Sequence, residues 1–282
     1  MIKSLNELAF VFKRNTSAKE LKEICKELGE AGHLHDSKYY RRLVEIKQPK
    51  KPGGKIKERI LYPSSGRLRE IQDGIKDNIL SKISMPEFVQ GGVKGKSNIT
   101  NALVHKGKRY KFTTDLKKFF PSVTSGMVYN ILRGYGFSGD VSRVLTILCT
   151  YKGMLPQGIP TSTHLANMVF LPVDYTLQKA CPIPDITYTR FVDDITISSS
   201  SDLKPYTSAF IKVITDASFR ISHQKTHYNG VADITGIKVR NNYIMPDKKF
   251  LDKLNDPNQT EKQKMGRLIY LNRILEADKG RK

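Results

Sequence analysis

Cysteine is scarce and scattered. Cys25, Cys149 and Cys181 have no paired spacing, which argues against a disulfide framework and against a thiolate zinc site. Reduced, partly buried thiols are expected instead. Long apolar runs are also missing: the N-terminal MIKSLNELAFVFKRN holds none of signal-peptide length, and no stretch approaches the ~18 apolar residues of a membrane span. The expectation is a cytoplasmic chain with no membrane partner. Internal repeats, low-complexity tracts and flexible linkers are absent from the sequence. Acidic residues are few, 27 Asp and Glu against 48 Lys and Arg, for a net charge of +21. That excess attracts polyphosphate backbones. Nucleic acid becomes the leading partner, of an enzyme or of a non-enzymatic RNA-binding module. With 39% hydrophobic residues in 282, the chain can bury one large core or two modest ones.

What is present reads as interspersed helices and strands. Ser17 with Glu20 forms a capping box, followed by Leu21, Ile24 and Leu28 at helical spacing and by Gly29. Residues 47–69 carry a basic segment broken by Gly53-Gly54, then alternating Ile56, Glu58, Ile60 and Tyr62, a β-hairpin pattern. Helical periodicity returns over 71–83 and ends at Pro86. Tyr110 to Asp115 alternates as a half-buried strand does and leaves Asp115 at its end. Helices are predicted over 124–135 and 139–151, and a third begins near Thr161 and stops before Pro172. The stretch ITYTRFVDDITISSS reads as two strands hinged at Val192-Asp193. A helix over 203–218, a basic turn through 222–228 and a strand-like DITGIKVRNNYIM follow. The mixture points to an α+β fold, not a doubly wound parallel sheet.

The chemistry concentrates in carboxylates. Adjacent Asp193 and Asp194 at a hairpin tip repel each other unless a cation compensates them. In isolation the pair is also explained by turn preference, with Arg190 available to neutralise one carboxylate. Asp115 shifts the balance, because it too ends a strand, and two such sites on one sheet face can hold two Mg²⁺ ions for phosphoryl transfer. That reaction needs positioning and charge stabilisation, not a nucleophilic side chain.

Over about 57–240 the chain resembles the reverse transcriptases, with five motifs in order. Asp115-Leu-Lys-Lys-Phe-Phe-Pro-Ser is similar to the first palm motif of that family. Leu155-Pro-Gln-Gly-Ile-Pro-Thr-Ser, continuing to Asn167, is similar to the second. Phe191-Val-Asp-Asp resembles the catalytic hairpin, Gln224-Lys225-Thr226 the fourth motif, and Ile234-Thr-Gly-Ile the turn that grips the primer. The resemblance implies a right-hand polymerase: fingers over 1–110, a palm over 111–240 with fingers elements interleaved and an antiparallel sheet covered by helices on one face, and a reduced thumb over 241–282. It implies Asp115, Asp193 and Asp194 as ligands of two Mg²⁺ ions, with Mn²⁺ as a substitute, and Lys225 as the group protonating pyrophosphate. Gln157 and Gly158 would lie at the incoming nucleotide, and Phe191 and Gly236 at the primer. Phe120 sits where the family excludes a 2′-hydroxyl, though an aromatic there also suits core packing. Arg59, with Lys55 and Lys57, suits a triphosphate clamp or a solvated basic face.

Asn101-Ala-Leu-Val-His105 and Ile234-Thr-Gly236 resemble signatures of the retron subfamily, and the short length fits it. That resemblance implies a structured noncoding RNA as template and primer, dNTP substrates, an RNA–DNA hybrid product, an effector protein and a part in anti-phage defence. Asn101 and His105 are read as RNA- or primer-binding, with His105 equally suited to a structural place; Lys94, Lys96, Lys106, Lys108 and Arg109 flank them. Two rivals stay open: a defence-associated reverse transcriptase with another template or priming mode, and a non-catalytic RNA-binding module on the same fold. Phe191 and Val192 depart from the usual Tyr-Ala. Gln90-Gly-Gly-Val-Lys-Gly-Lys-Ser97 is one residue short of a P-loop and lacks its preceding strand, so it is not read as an ATP site.

Overall fold

The computed structural model describes residues 2–12, 16–30, 38–47 and 57–280. They form two compact units, Met1–Ser84 with Lys118–Phe170, and Met85–Lys117 with Leu171–Lys282. The mixture of helices with small antiparallel sheets is that of an α+β protein.

The first unit is mainly helical. Ser17 Oγ accepts from Glu20 N at 3.1 Å and opens the helix Ala18–Glu30, whose Leu21 and Ile24 are buried. It packs on the helix Gly139–Cys149, which presents Val141, Leu145 and Leu148 to the core. The helix expected over 71–83 instead spans Gly66–Asn78. Arg67 anchors its first turn by pairing with Glu20 and Glu70, and the backbone leaves helical geometry at Ile79, before a 3-10 turn at Leu80–Lys82. The basic hairpin appears as strands β1 (Leu43–Lys47) and β2 (Lys57–Leu61), with Glu45 opposite Arg59. Its first strand lies upstream of the predicted segment, and the Gly53-Gly54 break, Lys55 and Ile56 fall outside the described residues. Leu43, Val44, Ile46 and Ile60 on this ribbon are exposed.

One helix overrides a sequence rule. Ser162–Lys179 continues through Pro172, although proline removes one backbone donor and usually ends or kinks a helix. Buried Val173, Asp174 and Leu177 beyond it outweigh the lost bond, and Thr176 Oγ1 donates to Pro172 O at 3.0 Å.

The second unit is built on four antiparallel strands, β3 (Tyr110–Asp115), β4 (Thr187–Phe191), β5 (Asp194–Ser199) and β6 (His227–Asn229), in the order β4-β5-β3-β6. Strand β3 is interior, and successive buried residues Lys111 and Phe112 show that both its faces are covered, not one as its alternation suggested. Phe112 packs on Phe210 of the helix Thr207–Asp216, with ring centroids 5.6 Å apart. On the other face Lys111 is fully buried, its ammonium donating to Lys108 O and Gly230 O. Burial pushes its pKa down to about 8. A second antiparallel sheet, β7 (Ala232–Ile234), β8 (Ile237–Val239) and β9 (Ile244–Pro246), encloses a small core with the helices Asn98–Leu103 and Glu261–Lys279. Ile99, Ala102, Ile237, Val239 and Ile274 meet there. No helix among the described residues is long and apolar enough to cross a membrane.

Candidate active site

Strand register brings the carboxylates together. Asp115, the last residue of β3, stands opposite Asp194, the first of β5. The β4–β5 pairing closes Phe191 on Asp194 and leaves Val192 and Asp193 as a two-residue turn. Tight hairpins of this length favour positive φ, and Val192 adopts +60°. For a β-branched residue that conformation costs about 1–3 kcal/mol, so the surroundings must impose it. Leu116 N donates to Asp193 O at 2.8 Å and Ser222 N to Asp115 O at 2.8 Å. Lys225, on the 3-10 turn His223–Lys225, donates from Nζ to Asp115 Oδ2 at 2.5 Å.

Charge repulsion is written into this cluster. Burial, then the negative charges of Asp193 and Asp115, push the Asp194 carboxyl up to about 7, against the opposing pull of Lys225. Burial alone would lower the Lys225 pKa, but its bond to Asp115 and the three carboxylate charges hold it above the ordinary lysine value. Among the described residues no three acidic, His or Cys side chains close around one point as a ready-made cation cage. The all-oxygen donor set nevertheless suits a hard divalent ion, which polymerase-type sites bind through one or two carboxylates together with substrate phosphates. A cation there would relieve the repulsion that raises Asp194. The alternative reading of Arg190 is replaced by a different pairing. Its guanidinium grips Asp174, Nε to Oδ1 at 2.8 Å and Nη2 to Oδ2 at 2.7 Å, and both side chains are fully buried.

The first unit holds the other predicted residues. Arg59 Nε donates to Gln157 Oε1 at 2.7 Å, and Tyr62 N to Gln157 O at 2.8 Å. A cavity of about 350 Å³ opens there, lined by Glu58, Arg59, Tyr62, Lys118, Tyr151 and Gln157 among others. Gly158 has φ +105°, and a Cβ on it would come within 3.3 Å of Pro63 N, so glycine serves both the backbone and the close approach. Phe119 is buried against Phe170, whereas Phe120, 5.7 Å from Phe119, is only half-buried. Lys118 escaped the sequence reading. Nothing in the spacing separates it from Lys117, but its left-handed φ of +54° turns the chain into the short helix Phe119–Ser122 beside the cavity.

Asn101 and His105, read as contacts to RNA, lie in the interior. His105 is fully buried with Nδ1 at 2.7 Å from Ser198 Oγ and Nε2 at 2.7 Å from Thr189 Oγ1, and burial lowers its pKa to about 3. Asn101, 1% exposed, donates to Thr235 Oγ1 at 3.4 Å, and Asn98 donates to Thr235 O at 3.1 Å. The two subfamily-like signatures are thus one physical cluster: the helix Asn98–Leu103 supports the turn at Thr235 and Gly236, where φ is +48° and +85°. Gly236 is exposed and Phe191 half-buried. Of the flanking basic residues, Lys96, Lys106 and Lys108 are engaged in ion pairs with Glu87, Asp278 and Asp185, while Lys94 and Arg109 are exposed.

Comparison with known proteins bears on the same residues. The family described as reverse transcriptase (RNA-dependent DNA polymerase) matches residues 48–239. The retron Ec86 reverse transcriptase of Escherichia coli is 37% identical over 166 residues, 59% of this chain and 50% of that protein. The retron Se72 reverse transcriptase of Salmonella heidelberg (strain 579083-10) is 38% identical over 162 residues, 57% and 43% of the two chains. The retron Mx65 reverse transcriptase of Myxococcus xanthus is 30% identical over 222 residues, 71% and 51%. The chain spans about half the length of these relatives.

Proposed function

Because the chain belongs to the reverse transcriptase family, whose polymerases use divalent metal ions, we propose that it is an RNA-directed DNA polymerase of the retron type. The observation that carries this reading is the register of Asp115 against Asp194, with Asp193 tied by its backbone to the same strand end and Lys225 on Asp115. Those three carboxylates hold two Mg²⁺ ions, with Mn²⁺ as a substitute. Held by these residues, the ions would supply activation of the primer hydroxyl and charge stabilisation of the leaving pyrophosphate. Lys225, carrying a firmly held proton, is the group that donates to pyrophosphate. In the first unit, Arg59 and Gln157 at the cavity receive the triphosphate and base of a dNTP, with Gly158 keeping the chain path open and Phe120 barring a ribose 2′-hydroxyl.

The right-hand division follows as part of the proposal: fingers over 1–110, palm over 111–240 and thumb residues from 241 onward. The template-primer is a structured noncoding RNA, drawn by the basic excess, and the product is an RNA–DNA hybrid whose DNA is joined to RNA. An effector protein and a part in anti-phage defence belong to the same reading. Gly236 and Phe191 face the primer, and Asn101 and His105 act beneath the surface as supports.

The test is to recover the protein with its bound nucleic acid, sequence that RNA, and supply labelled dNTPs with Mg²⁺. One enriched RNA should be extended into short DNA that a 2′,5′ debranching enzyme releases. Random cellular RNA with no incorporation would overturn the polymerase reading. Extension without covalently attached RNA would keep it and reject the retron type.

A further inference from the structure

The acidic turn rests on a buried support that the polymerase reading leaves unused. Arg190, besides gripping Asp174, donates from Nη1 to Val192 O at 3.1 Å, and Tyr188 Oη donates to Asp174 Oδ1 at 2.5 Å. Gly91 presses on the same turn from another side. A Cβ on Gly91 would stand 2.3 Å from Val192 N and 2.8 Å from Phe191 C, so any side chain there must displace backbone. The segment before it is laced to Arg190: Arg190 N donates to Phe88 O at 2.9 Å, and Gln90 N donates to Arg190 O at 2.8 Å.

We infer that Gly91, Arg190 and Asp174 are positioning residues that hold Val192 in its left-handed conformation and so set the direction of the Asp193 carboxylate. This rests on the reading of Asp115 and Asp193 as metal ligands. The physical reason is that a β-branched residue does not keep φ +60° by itself. The Arg190 fork seizes the turn carbonyl while its charge is neutralised by Asp174, and Gly91 closes the space into which the turn would relax. An arginine is required, since an ammonium cannot span two carboxylate oxygens and a carbonyl at once.

The experiment compares the full chain with Gly91→Ala, Arg190→Lys and Asp193→Asn. RNA-templated primer extension is titrated with Mg²⁺ and with Mn²⁺, and RNA binding and thermal unfolding are measured alongside. Gly91→Ala should lower kcat by about a hundredfold, the scale of a 1 Å misplacement, and should need more Mg²⁺, with RNA binding kept and the unfolding temperature lowered only by the few degrees that local overpacking costs. The loss should be smaller in Mn²⁺, because Mg²⁺ demands near-ideal octahedral geometry. Arg190→Lys should shift the same way. Wild-type kcat and Mg²⁺ dependence in Gly91→Ala would overturn the inference. Joint loss of stability and RNA binding in Gly91→Ala would also overturn it, in favour of a general packing role. An inactive Asp193→Asn beside an unaffected Gly91→Ala rejects only the positioning, whereas an active Asp193→Asn rejects the metal reading beneath it.

Discussion

The acidic turn and the ribbon at the 350 Å³ cavity fix their polar side chains in opposite ways. At Asp115, Asp193 and Asp194 the backbone is tied at several points, β3 is interior, and a fully buried ion pair lies underneath. Arg59 sits on an exposed two-stranded ribbon and is joined to Gln157 by a side-chain hydrogen bond of 2.7 Å. Groups that bear the charge of a reaction gain from a fixed geometry, because reorganisation during the reaction is costly. Groups that capture a diffusing ligand gain from long side chains that adapt, with Arg supplying bidentate contacts on arrival.

The most damaging way to break this contrast is at the acidic turn. Asp193→Asn or Asp115→Asn should lower Mg²⁺-dependent DNA synthesis by about a thousandfold or more, the equivalent of several kcal/mol of lost charge stabilisation. RNA binding, measured by filter retention, should stay near wild type, because it draws on the whole basic surface. Smaller effects are expected at the cavity. Phe120→Ala should reduce the preference for dNTP over rNTP by about tenfold in competitive incorporation, as removal of a steric pocket wall does. An unchanged ratio would make Phe120 a packing residue like Phe119. Arg59→Lys should raise the KM for dNTP by about tenfold with kcat nearly kept, the scale of one charged hydrogen bond. A fall in kcat with unchanged KM would show that the ribbon takes part in chemistry after all.

The mildest test concerns stability. The folded protein raises the Asp194 pKa to about 7 from an ordinary carboxylate value, so the fold holds that proton more tightly than the unfolded chain does. Stability is therefore unaffected below about pH 4, falls as pH rises towards 7, and stays lowered above it. In metal-free buffer at pH 8, Asp194→Asn should raise the unfolding temperature by a few degrees, and the gain should vanish at pH 4. A destabilised Asp194→Asn at pH 8 would mean that the repulsion is already compensated.

Much of the second unit was legible because its signals are local. Alternation gave the three strands around the carboxylates, and two adjacent Asp between apolar strands marked the turn to the residue. The cap at Ser17 was likewise read correctly, though the Glu20 side chain turns to Arg67 instead of closing the box. What stayed hidden depends on partners distant in sequence. Pro172 reads as a stop until the buried residues beyond it are known. Tyr110–Asp115 reads as half-buried until the groups covering its two faces are known, Phe210 on one and the carbonyls around Lys111 on the other. Asn101 and Thr235 each belong to a recognisable signature, but no one-dimensional pattern says that one supports the other. Asp174 looks like an ordinary helical residue, and Gly91 like part of an imperfect phosphate loop.

The Arg190–Asp174 pair also restricts how such a chain can change over generations. With both groups at 0% exposure, replacing one alone strands the other charge in the interior at a cost of about 3–5 kcal/mol, a large fraction of the stability of a typical domain. Single-step descendants at either position are therefore poorly viable, while a simultaneous exchange for two well-packed apolar residues need not weaken the fold. The two positions, sixteen apart in the chain, are thus inherited as one character, and the route from one state to the other passes through an intermediate that folds worse than both.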